Sequence, residues 1–247
     1  MKTADLHDEL CQALLIAGAV EPETIVPAGY NGKKVDAVFK SERILIEVKS
    51  LVKDQADAKL LSARLEPIIG KWMGKGGPVV FGTVPIPWQQ MPERMRHEVE
   101  AAIAPRLEKN LKDANKQFRE TKAALGWAES FNVLPFILPN TFATHPGVIG
   151  RAAWNLLHRR AGLLPEIDAT MAITVQVLDQ SGSVDRPMEC FYFPVVNAPA
   201  PHGINVIILR AWVQHFSAKT GVKVIERTPS DGHFFNRYLS TETGAET

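Results

Sequence analysis

The sequence predicts an α/β domain, and three observations carry that expectation. Two short β-rich runs, Val35 to Phe39 and Ile44 to Ser50, flank a four-residue polar connection, Lys40 to Arg43, in the pattern of a hairpin. Stretches with apolar residues at helical spacing lie before and after that hairpin. The last third of the chain then alternates further apolar runs with turns. At 247 residues, the chain is long enough to bury a sizeable core. Its 45% hydrophobic and 22% charged composition is that of an ordinary globular protein. A net charge of +1 excludes global basicity, so any nucleic-acid surface must be local.

The hairpin register decides what its charged residues can do. Closing the chain around Lys40 to Arg43 sets Phe39 opposite Ile44 and Asp36 opposite Glu47. Side chains alternate across a strand, so Glu47 and Lys49 share one face while Ile46 and Val48 share the other. Two acids and one base thus converge on one patch of sheet, which is costly to bury unless they serve each other or an ion. Two carboxylates facing each other across adjacent strands offer hard oxygen ligands to Mg²⁺ or Mn²⁺. An ammonium two residues along is placed to orient a water or to stabilise developing negative charge. The competing account is an exposed ion-pair ladder. The flanking Ile44, Leu45, Ile46 and Val48 look like a central strand and favour the site.

Asp36, then ten residues, then Glu47-Val48-Lys49 resembles the motif of the PD-(D/E)XK nuclease superfamily, although Val35 stands where the naming proline would. The resemblance covers residues 1–50. It implies a restriction-endonuclease-like core, a central mixed β-sheet flanked by helices. It also implies metal-dependent hydrolysis of DNA phosphodiesters, with Asp36 and Glu47 on the metal and Lys49 assisting water. A third carboxylate in such enzymes comes from the first helix, which here gives Glu9. The order Glu9, Asp36, Glu47, Lys49 is similar to that of archaeal-type Holliday-junction resolvases. Gln117, with Thr121 one turn on, resembles a Gln-x-x-x-Tyr element of the superfamily and gives a residue supporting the site. The superfamily's breadth points to prokaryotic defence or DNA repair, and a homodimer is a candidate assembly.

Taken in order, residues about 3–19 read as a helix with Leu6, Leu10, Leu14 and Leu15 on its stripe, and Glu9 lies beside that stripe. Ile25 to Pro27 reads as a short strand. A helix following Asp54 is expected to close at Pro67, before a glycine-rich connection with no Walker spacing. Pro78 to Val84 reads as a strand. From about Pro92 to Ala128 a long helix shows an apolar stripe of Leu107, Leu111, Ala114, Phe118 and Leu125. Lys109, Lys112, Lys116 and Arg119 share another face, the best local candidate for contacting a phosphate backbone, with Glu108, Asp113 and Glu120 interleaved.

Phe131 to Leu138 reads as a strand that Pro135 assigns to an edge or a bulge. Gly150 to Gly162 reads as a helix ending in a small basic cluster, His158, Arg159 and Arg160, and His145 falls in a turn. The runs from Met171 and from Cys190 read as hairpin partners, and strands are expected around Ile204 to Phe216 and Val222 to Arg227. Without internal repeat or linker the chain reads as one domain, residues 1–247, its core spanning about 1–140 and a C-terminal elaboration about 141–240. Cys11 and Cys190 are isolated, make no metal-ligand pattern, and are expected buried in a reducing compartment. No signal peptide or membrane span is visible, so the expected location is cytoplasmic. The alternative function is a silent nuclease-fold module that binds nucleic acid or protein. A third account is an unrelated α/β protein with surface ion pairs.

Overall fold

The structure, a computed structural model, describes residues 6–50, 55–73, 75, 91–139, 146–160, 162–175, 190–195 and 201–220. Among these, six strands form one open mixed sheet flanked by five helices. The strands are β1 (Ala37–Phe39), β2 (Ile44–Ile46), β3 (Lys49–Ser50), β4 (Phe131–Pro139), β5 (Ala169–Val175) and β6 (Cys190–Pro194). The helices are α1 (Leu6–Ile16), α2 (Gln55–Trp72), α3 (Glu93–Leu125), α4 (Pro146–Arg159) and α5 (Ile204–Thr220). Sheet order is β1-β2-β4-β5-β6, with β3 also paired to β4. The β2/β4, β3/β4 and β4/β5 pairs are parallel, and the outer pairs β1/β2 and β5/β6 are antiparallel. No described helix is long and apolar enough to cross a membrane.

Strand alternation divides the core into two layers. Val38, Leu45, Leu134, Phe136 and Ala172 pack beneath α2, α3 and α4. Ala37, Phe39, Ile46, Val133 and Ile137 face the other way, beneath α1 and α5. The hairpin closes in the expected register, Phe39 opposite Ile44 and Ala37 opposite Ile46. The long helix and the β5/β6 hairpin also form where the sequence places them. Leu107, Leu111, Ala114 and Phe118 are fully buried, and α3 ends at Gly126, whose φ of 65° is the left-handed conformation that only glycine adopts without cost.

Four local expectations are corrected. Ile25 to Pro27 is a turn following a 3-10 turn at Pro22–Thr24, and Val20 instead bridges Val38 through two backbone hydrogen bonds of 2.9 and 3.0 Å. Helix α2 runs through Pro67; that proline and Ala63, whose carbonyl it cannot donate to, are both exposed, where the lost hydrogen bond costs least. β4 is the central strand and not an edge; Pro135 sits where the β2 and β3 ladders are interrupted, so the missing N–H costs little. Residues 204–216 are helical: Ile204, Ile208, Ala211 and Trp212 are buried at helical spacing within a run apolar enough to read as a strand. Cys11 and Cys190 are half-buried. The strands expected at Pro78 to Val84 and Val222 to Arg227, and His145, lie outside the described residues.

Gly150 packs closely where α4 meets β6. A Cβ there would stand 1.8 Å from a ring carbon of Phe193. Alanine ordinarily gains up to about 1 kcal/mol over glycine inside a helix. Here the collision reverses the sign, and Gly150→Ala is expected to lower stability by about 1–3 kcal/mol in urea denaturation.

Candidate functional site

Asp36 stands just before β1, and its N–H donates to the Ile46 carbonyl at 3.0 Å. Its Oδ2 accepts the Val48 N–H at 2.7 Å, which fastens the carboxylate beside Glu47. β2 and β3 hold the same register against β4, Ile44 opposite Phe131 and Lys49 opposite Phe136. Glu47 and Val48 therefore continue one strand line across the interruption. There Glu47 N–H donates to Val133 O at 3.2 Å, and Pro135 has no N–H to return.

Glu47 is 1% exposed. Lys49 donates to its Oε1, whereas Oε2 is buried without a hydrogen-bond partner. Burial, and then the charge of Asp36, push the Glu47 carboxyl up to about 8, outweighing the help of Lys49. The Lys49 ammonium is held from a second side by Gln117 Oε1 at 3.0 Å, and Gln117 is fixed in turn by donating to Lys34 O at 2.9 Å. The structure thus brings together Asp36, Glu47, Lys49 and Gln117, with α3 supplying the last. The side chains of Asp36, Lys49 and His7 keep 21%, 20% and 33% of their surface exposed, so the group opens to solvent above a buried Glu47.

Glu9 does not join them. Its Oε2 accepts from His215 Nε2 at 2.7 Å and its Oε1 from Lys219, both on α5, and these partners hold its carboxyl below the usual range, Lys219 most strongly. Successive helical residues are turned by about 100°, so Glu9 stands about 200° from His7 around α1 and only one of them can face the hairpin. That one is His7. Its Nε2 lies 3.3 Å from Asp36 Oδ2, and its Nδ1 lies 3.2 Å from Asp8 Oδ1 and 4.0 Å from Cys11 Sγ. The Asp36 carboxylate, followed by Cys11, raises the imidazole to about 11, and burial pushes the Cys11 thiol up. Sequence reasoning missed His7 and Cys11. The available signal was their four-residue spacing, which puts both on one helix face.

The basic stripe of α3 is largely answered by its own acids. Lys112 pairs with Glu108 at 2.6 Å and Lys116 with Glu120 at 3.5 Å, and Glu120 also accepts the Lys33 N–H at 2.8 Å. Lys109 and Lys112, with Pro105, Glu108 and Asp113, line a shallow depression, and Lys109, Lys112, Lys116 and Arg119 are all exposed. In the second basic cluster, His158 lies against Trp154 with ring centroids 3.7 Å apart, and Arg160 binds Glu108 at 2.6 Å. Comparison with protein-family models, with curated proteins and with solved structures finds no match for this chain.

Proposed function

We propose that the chain is a divalent-metal-dependent endonuclease that hydrolyses DNA phosphodiesters, in prokaryotic defence or DNA repair. The observation that carries this reading is the Glu47 carboxylate: buried, coupled to Asp36, and left with one oxygen unpartnered. Burying such a group is costly unless a ligand supplies what the protein withholds, and hard carboxylate oxygens suit Mg²⁺ or Mn²⁺. Asp36 and Glu47 would hold the ion, and the Val48 N–H keeps Asp36 oriented for it. The bound ion would acidify a water and neutralise charge on the phosphate. Lys49 stands beside Glu47 to orient the attacking water and to stabilise negative charge developing on the phosphoryl oxygens. Gln117 positions Lys49, because its own amide is anchored to the Lys34 backbone. The exposed lysines of α3 are the proposed contacts to the DNA backbone.

At a Mn²⁺ concentration one hundred times its Kd, the wild-type melting temperature should rise by about 5–10 °C. The rise should vanish in Asp36→Asn and persist in Glu9→Gln, since Glu9 is committed to α5. Equal rises in wild type and Asp36→Asn would remove the carboxylate pair as the metal site. Supercoiled, linear, branched and single-stranded DNA, and RNA, incubated with Mn²⁺ then separate cleavage from mere retention.

A further inference from the structure

The carboxylate pair leaves His7 and Cys11 unexplained. Both lie on α1 at four-residue spacing, half-buried, at the point where that helix meets the start of β1. Taking one ligand atom from each, His7, Cys11 and Asp36 come within 4.8 Å of one another. Tetrahedral bond lengths around a zinc-class ion place N, O and S donors about 3.3–3.6 Å apart, so the trio needs to close by only about 1 Å. A second feature borders the trio. Glu47, whose buried Oε2 has no hydrogen-bond partner, lies near enough to act electrostatically on both Cys11 and Asp36.

We propose that His7, Cys11 and Asp36 form a binding site for one borderline transition-metal ion of the zinc class, distinct in ligand chemistry from the carboxylate pair. Imidazole nitrogen and thiolate sulfur discriminate against Mg²⁺, which takes oxygen ligands, and in favour of Zn²⁺ or Co²⁺. The thiol proton of Cys11 and the imidazolium proton of His7 are both released to solvent as the sulfur and nitrogen bind. Asp36 belongs to both sets, so the two metals compete for it, and the imidazole and thiolate give a zinc-class ion the advantage over Mg²⁺. The inference requires no phosphodiester cleavage; it shares Asp36 as a ligand, and Glu47 as a neighbour, with the hydrolase reading.

Titrating Co²⁺ into the reduced full chain tests it, because thiolate bound to Co²⁺ gives a near-ultraviolet charge-transfer band that oxygen and nitrogen ligands do not. The band should saturate at one equivalent, disappear on adding Zn²⁺ and survive excess Mg²⁺. It should be absent in Cys11→Ser and present in Cys190→Ser, with circular dichroism verifying that both variants fold. His7→Gln should weaken Co²⁺ binding by roughly tenfold or more. A wild type without the band, or a band undiminished in Cys11→Ser, overturns the site. A band in a wild type that cuts no nucleic acid sinks only the hydrolase reading, and a band retained in Glu47→Gln supports ligation independent of the carboxylate pair.

Discussion

With chelator present, the unfolding free energy of the wild-type chain should fall by roughly 3–5 kcal/mol more than that of Glu47→Gln between pH 5 and pH 9. The sign follows from the direction of the shift. Glu47 is raised from its ordinary 4.5 to about 8, so the folded state holds a proton that the unfolded chain releases. The associated stability is fully present below about 4.5 and is lost as the pH rises through 8. Glu47 is too buried for solvent to dilute the effect, and glutamine preserves the shape while removing the titration. Saturating Mn²⁺ should reverse the wild-type trend, because a cation rewards the charged form that burial penalises. Urea denaturation at intervals of one pH unit measures all three curves. Parallel descents for wild type and Glu47→Gln would show that Glu47 is not the group responsible.

Lys49→Ala should lower the single-turnover cleavage rate by roughly 10²–10⁴-fold, the usual range for losing a positioned proton-transfer or charge-stabilising group. The same substitution leaves the Glu47 carboxylate without its ammonium partner. Removing one member of a buried ion pair costs about 3–5 kcal/mol when the other stays charged. That penalty should shrink at pH 6, where Glu47 already carries its proton. Gln117→Ala keeps the ion pair but frees the amine from its second restraint, so its effect should be confined to the rate, at about tenfold. Wild-type cleavage by Lys49→Ala would remove the amine from the chemistry. A wild type that retains DNA and never cuts it under Mn²⁺ would identify a binding module.

The sequence revealed most where one periodicity ruled and least where two features competed. The hairpin was legible because a polar connection between β-branched runs admits one register, and Phe39 does meet Ile44. The stripe of α3 was legible because its acids and bases leave only one apolar face. Residues 204–216 misled because Val206, Ile207 and Leu209 fill the gaps between Ile204, Ile208 and Trp212, hiding the helical period inside an apolar run. At the candidate site, spacing brought Asp36, Glu47 and Lys49 together, but it could not orient α1. Rotation about that helix, fixed by Leu10, Ala13 and Leu14 against the sheet, turns His7 inward and sends Glu9 to α5. Gln117 reaches Lys49 across 68 residues, an approach that spacing does not encode and that only the resemblance of Gln117 and Thr121 to a superfamily element pointed to.

The pairing of α1 with α5 also imposes a schedule on biosynthesis. Glu9 and His215 are 206 residues apart, and ribosomes add roughly 5–20 residues per second, so α5 emerges on the order of 10–40 s after α1. Throughout that delay the sheet face carrying Ile46, Val133 and Ile137 is covered by α1 alone, and Glu9 lacks its partners on α5. Translation thus acts as a timer: this face of the sheet closes only when α5 docks, after every other described element has been made.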